Sequence, residues 1–127
     1  MISCTNTGHD NAEVDRLIKG INDHPDLLHA ESTPAVNRLI DIGKPAIPAL
    51  LEVIISGDGP TRMRAQAALE LITLRMYGFQ PGHGWQSNEG EAQWRSFWMD
   101  LGSLNWQDTA DKRLAAVKLW RQWYVKQ

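Results

Sequence analysis

Two glycine–proline breaks constrain how the middle of this chain can fold. Gly43-Lys44-Pro45 and Gly57-Asp58-Gly59-Pro60 cut residues 34–76 into three apolar stretches. Breaks this short make neighbouring helices return antiparallel, as hairpins. Thr33-Pro34 opens the first stretch: the hydroxyl can accept an orphan backbone N–H, and proline is tolerated where its missing N–H had no partner. Val36, Leu39 and Ile40, flanked by Ala35 and Ile42, line one face, and Gly43 provides a left-handed stop. Pro45 and Pro48 restart the chain into a second helix carrying Leu50, Leu51, Val53, Ile54 and Ile55. The third runs over residues 60–77. Ala65, Ala68, Leu69, Ile72 and Met76 form one of its faces, Met63, Ala67, Leu71 and Leu74 another. Arg62, Gln66, Glu70 and Thr73 are left as a wet strip. A helix apolar on two sides is expected to be covered on two sides, which places it centrally.

The flanks read as covering pieces. A polar leader, residues 1–10, is expected to be loosely held. Asp10 or Asn11 then caps a helix with Val14, Leu17, Ile18 and Ile21 on one face, and Pro25 ends the pattern. A short helical turn over residues 26–30 is expected to point Leu27 and Leu28 inward. Residues 77–90 form the longest irregular piece, rich in Gly, Pro, Gln and Asn. Asn88 with Glu91 resembles a capping box. Trp94, Phe97, Trp98 and Leu101 mark the next helix face, and Gly102 stops it. Asp108 or Thr109 opens a last helix whose apolar arc holds Ala116, Val117, Leu119, Trp120, Trp123 and Tyr124. No stretch alternates with period two, so no sheet is expected. The expected fold is one all-α domain, a stack of about six helices.

The helices beginning near Pro34 and Pro60 superpose at an offset of 30: Ala35 on Ala65, Leu39 on Leu69, Ile42 on Ile72. A period in this range is what a stacked helical array produces. The run Gly43-Lys44-Pro45-Ala46-Ile47-Pro48-Ala49-Leu50-Leu51 looks like the start of a HEAT second helix, and Arg64-Ala65-Gln66-Ala67-Ala68-Leu69-Glu70-Leu71-Ile72 like a first helix. Tyr77-Gly78-Phe79, followed by Trp94 and Trp98, is similar to the Phe-Gly loop and tryptophan-rich helix that end some such arrays. On these residues, about 34–101, the chain resembles the HEAT-repeat family, particularly the short bacterial repeats of phycobilisome-lyase type. The glycine-rich insertion at 80–90 departs from that pattern. The resemblance implies a short right-handed α-solenoid that binds protein. Its lyase side implies a rival role in handling a chromophore or cofactor, with the tryptophan-lined loop as pocket.

The residues themselves select no chemistry. His9, His24, His29 and His83 fall at no metal-ligand spacing. Gly82-His83-Gly84 lacks the Lys-Ser/Thr of a phosphate loop, and there is no nucleophile-elbow pattern. Cys4, the one cysteine, cannot form an internal disulfide. No catalytic residue, metal or cofactor is therefore assigned, and the chain is not expected to be an enzyme. No stretch reaches the ~20 apolar residues of a membrane span. The first ten residues lack the basic and apolar regions of a signal peptide, which points to the cytoplasm.

Charge and tryptophan are both unevenly spread. The net charge is −2, yet residues 1–60 hold nine acidic and four basic side chains (−5), and residues 109–127 five basic and one acidic (+4). A cationic last helix could touch nucleic acid or an anionic membrane surface, but five charges spread around it make a weak footprint on an acidic protein. A solvated face partly matched by acids in the first helices is the favoured reading. All six tryptophans follow position 84. Trp94, Trp98, Trp120 and Trp123 read as packing. Trp85 and Trp106, in loops, are candidate binding anchors. Arg64 and Arg75 share one side of the central helix, where they either satisfy groups inside the stack or grip an acidic partner. His83 and Glu89, in and beside the irregular loop, complete the candidate set. The reading that results is a small binder of inhibitor or immunity type, blocking the basic or catalytic cleft of one protein partner, a toxin or an enzyme.

Overall fold

The computed structural model describes residues 2–127, with side chains from Asn11 onward; the side chains of the expected loose leader, Cys4 and His9 among them, lie outside the described residues. Six helices follow in order: α1 (Ile2–Lys19), α2 (Pro34–Ile42), α3 (Ile47–Ser56), α4 (Gly59–Met76), α5 (Asn88–Asp100) and α6 (Ala110–Tyr124). A 3-10 turn, Lys44–Ala46, joins α2 to α3. The class is all-α with one correction. Phe79–Gln80 (β1) and Gly84–Trp85 (β2) pair as an antiparallel hairpin where the sequence gives no sign of a sheet. Two-residue strands are too short to show alternation. Gly82 and Gly84, at φ +82° and +83°, supply the left-handed backbone that closes the turn.

Four helix starts share one chemistry. Thr33, Asp58, Ser87 and Thr109 each offer a side-chain oxygen to a first-turn N–H, of Val36, Thr61, Gly90 and Lys112 respectively. Such a cap is worth ~1 kcal/mol. Ser87, not Asn88, caps α5, because the cap must be extended and Asn88 is already helical. Gly90 lets that helix dock: a Cβ there would overlap the Tyr77 carbonyl oxygen and touch the Trp85 ring.

The core runs through all six helices. α3 packs against α1, α4 and α6, while α2 packs against α1 and α4. Of the positions 30 apart, Ala35, Ala65, Leu39, Leu69 and Ile72 are buried and Ile42 is half-buried. Small alanines beside leucines let α2 and α4 approach closely. α5 and α6 meet through rings. Phe97 stands 5.0 Å from Trp123 and 5.6 Å from Trp120, and Trp98 stands 5.3 Å from Trp120, all edge to face. That arrangement suits the ring quadrupoles, and it leaves Trp120 wholly buried. Leu119 falls outside the arc and is exposed.

α4 departs most from expectation. Ala65, Ala68, Leu69 and Ile72 are buried, but Met76 is exposed beyond the last packed turn, and Met63, Ala67, Leu71 and Leu74 are only half-buried. The strip expected to be wet is partly covered: Arg62, Gln66 and Glu70 are half-buried and Thr73 is buried. Thr73 is fully buried; its hydroxyl bonds the Leu69 and Glu70 carbonyls and accepts the Trp94 indole N–H at 2.9 Å. One turn apart, Arg62 donates to the Trp106 carbonyl (3.1 Å) and Gln66 accepts the Trp106 N–H (2.7 Å). These polar side chains hold a covering segment instead of facing water. Among the described residues no helix is long and apolar enough to cross a membrane.

Candidate protein-binding face

The segment between α1 and α2 forms a closed loop. It is not the expected helical turn, and Leu27 and Leu28 do not turn inward: Leu27 is fully exposed and Leu28 87% exposed. Local polar bonds win over a helix here. The Asp26 carboxylate accepts the N–H groups of Leu28 (2.8 Å) and His29 (3.0 Å), and the Asp26 N–H donates to the Ser32 carbonyl (2.9 Å). An aspartate bonded to the backbone two residues on is a turn-former. The Leu28 N–H is the main reason its carboxyl lies below the ordinary range. His24, left-handed at φ 57°, and Pro25 lead the chain into the turn.

Residues far along the chain brace this loop. Arg64 of α4, only 8% exposed, donates to the Ala30 carbonyl at 3.0 Å and to the Asn22 side-chain oxygen at 2.7 Å. Asn22 in turn donates to the Thr61 hydroxyl (2.9 Å), and Thr61 to Asp58, the cap of α4 (2.6 Å). At the far end the Thr33 hydroxyl donates to the Ile21 carbonyl (2.9 Å). The two leucines therefore stand on a tethered platform. Asp23, Asp26 and Glu31 lie in the same loop, with no lysine or arginine between residues 20 and 33.

The loop borders the half-buried side of α4. Between them and the hairpin lies a pocket of about 350 Å³, lined by Glu31, Glu70, Leu71, Phe79, Trp85 and Trp94 among others. Phe79 and Trp85 are direct cross-strand partners, so their side chains share one face of the hairpin. Their rings meet edge-on at 5.4 Å, and Trp85 stands 6.5 Å from Trp94. Burial pushes the Glu70 carboxyl above its ordinary range, against a hydrogen bond from Gln66.

Of the residues singled out from the sequence, Arg64 and Trp85 belong to this face. Arg64 works from beneath as the loop's anchor, and Trp85 is a half-buried pocket wall, not a free loop anchor. Trp106 is half-buried, held by its backbone to Arg62 and Gln66 on the flank of α4. Arg75 turns away to an exposed pair with Asp41 at 3.4 Å. His83 lies exposed in the hairpin turn. Glu89 lines a separate, open groove of about 720 Å³ with Tyr77, Phe97, Asp100 and Trp123. The basic last helix is partly tied into the fold: Arg121 pairs with Glu52 at 2.8 Å, and Arg113 donates to the Ile54 carbonyl at 3.0 Å. Sequence reasoning missed Leu27, Leu28, Glu31 and Glu70. The usable signal for the first two was an adjacent apolar pair directly after Asp26, a turn-forming residue.

Compared with protein-family models, with curated proteins and with solved structures, the chain finds no match.

Proposed function

We propose that the chain is a non-catalytic binding module of inhibitor type, a short right-handed HEAT-like stack that neutralises one basic protein, a toxin or an enzyme, by direct contact. The stack reading is supported by the succession of contacts. α2 packs on α4, α4 on α3 and α3 on α6, with α1 against α2 and α3 and α5 against α4. The binding reading is carried by one observation, the exposed Leu27–Leu28 pair on a loop that buried Arg64 holds in place. Exposed apolar side chains on an anchored loop mark interaction sites, because ordering them costs little further entropy on binding. The carboxylates of Asp23, Asp26 and Glu31 make a basic cleft the complementary surface.

The test compares capture from a host lysate by the wild-type chain, by Leu27→Asp/Leu28→Asp, and by a Lys118→Ala/Arg121→Ala control. The captured protein is then purified and its affinity measured. A single near-stoichiometric basic protein, held by wild type and control and at least ~100-fold more weakly by the loop variant, is the expected result. Equal binding by a folded loop variant, or capture of nucleic acid that the control abolishes, would overturn the reading.

A further inference from the structure

The pocket beside the loop has a carboxylate with no ion pair to a cation among the described residues. Glu70 is half-buried, and among the described residues its neighbour is a neutral amide, that of Gln66. Gln66 has its own oxygen committed to the Trp106 N–H, so its NH₂ is the end left for Glu70. The lining cation, Arg95, is paired instead with Glu91 at 2.8 Å. A carboxylate removed from water without a charged partner is costly, which is why burial raises its pKa. Glu31 adds a second negative charge to the lining.

The walls are aromatic and fixed before any ligand arrives. The Trp94 indole is bound through its N–H to Thr73, and Trp85 is set by strand pairing opposite Phe79. Aromatic faces attract cations, most strongly where water is excluded. A volume of about 350 Å³ sits at the low end for small-molecule sites. That is room for one long side chain and too little for a bulky chromophore.

We infer that this pocket receives the guanidinium of an arginine side chain carried by the protein partner, paired with Glu70 and stacked on the Trp85 and Trp94 rings; the inference rests on the binding reading above. Guanidinium fits better than ammonium. It is planar, can pair with a carboxylate through two N–H groups, stacks on indole, and sheds its weaker hydration more readily.

The test needs no partner. The full chain is titrated with N-acetyl-arginine amide, N-acetyl-lysine amide and the neutral isostere N-acetyl-citrulline amide, followed by the indole N–H signals of Trp85 and Trp94 in NMR. The arginine amide is expected to bind saturably at roughly millimolar affinity, and the lysine amide at least ~5-fold more weakly. The citrulline amide should leave both signals in place, and Glu70→Gln should weaken arginine binding at least ~5-fold while the rest of its spectrum stays native. No saturable shift, equal response to citrulline, an equally tight lysine amide, or unaltered binding by Glu70→Gln would each overturn the inference. None of these outcomes touches the loop experiment, so the two readings fail separately.

Discussion

Replacing Arg64 with methionine keeps an unbranched apolar stem and removes the bonds to Ala30 and Asn22. Both bonds have a charged donor, and both are short, at 3.0 and 2.7 Å. Hydrogen bonds to charged groups are worth ~1.5–3 kcal/mol each. Two would sum to ~3–6 kcal/mol, but the variant also recovers the cost of burying a guanidinium that is 8% exposed. A net loss of ~2–4 kcal/mol follows, and it should fall mainly on the loop, because Arg64 ties residues 22 and 30 to α4. Native-state hydrogen exchange reads this directly. The amides of Asp26, Leu28, His29 and Ser32, all bonded within the loop, should exchange ~30- to ~1,000-fold faster in Arg64→Met, at ~1.4 kcal/mol per tenfold. Amides of α3 should change much less. Loop amides within about threefold of wild type would refute the argument that Arg64 holds the platform. Equal acceleration of loop and α3 would show that it holds the core instead.

Two further outcomes test the core and the pocket. Leu69→Ala removes a fully buried side chain from the α2–α4 contact and should cost ~2–5 kcal/mol in urea unfolding; a near-silent result would contradict its central place. Glu70 titrates with the opposite sign to a salt-bridged acid. Its folded carboxyl keeps a proton that the unfolded chain has released, so stability falls as pH rises from the ordinary 4.5 through the raised folded value, and the cost persists above it. Glu70→Gln should therefore be more stable than wild type at neutral pH and equal to it in acid. A difference that stays constant between about pH 3 and about pH 8 would contradict the uncompensated burial.

What could be read from the sequence was local. Thr33, Gly43 and Thr109 signal helix ends through chemistry confined to a few neighbouring residues, and each sits at an end. The alanine and leucine spacing of α2 and α4 is likewise a property of single helices, and their buried faces follow from it. The rest was set by partners distant in the chain. Leu27 and Leu28 stand on a loop that Arg64, more than 30 residues on, and the Asn22–Thr61 bond tie to α4. Arg62, Gln66 and Thr73 look solvent-facing because polar residues usually are, yet their partners are the Trp106 backbone and the Trp94 indole. A backbone group and a ring nitrogen leave no pattern in composition. The candidate site suffered most: two of its six sequence-derived members, Arg64 and Trp85, lie on the proposed face, and neither does so as a free contact residue.

Two features of that face work against the stability and solubility of the isolated chain. Leucines as exposed as Leu27 and Leu28 gain little from folding and favour association. A half-buried carboxylate without a cation costs free energy at neutral pH. Either alone is an ordinary imperfection. They are linked, however, by one loop: it carries Leu28 and Glu31, Glu31 lines the same pocket as Glu70, and Arg64 ties the loop to α4. A partner offering an apolar socket and one arginine would relieve both costs at once. Its binding should therefore raise the stability of the wild-type chain more than that of the Glu70→Gln chain, since the substitution has already removed one of the two.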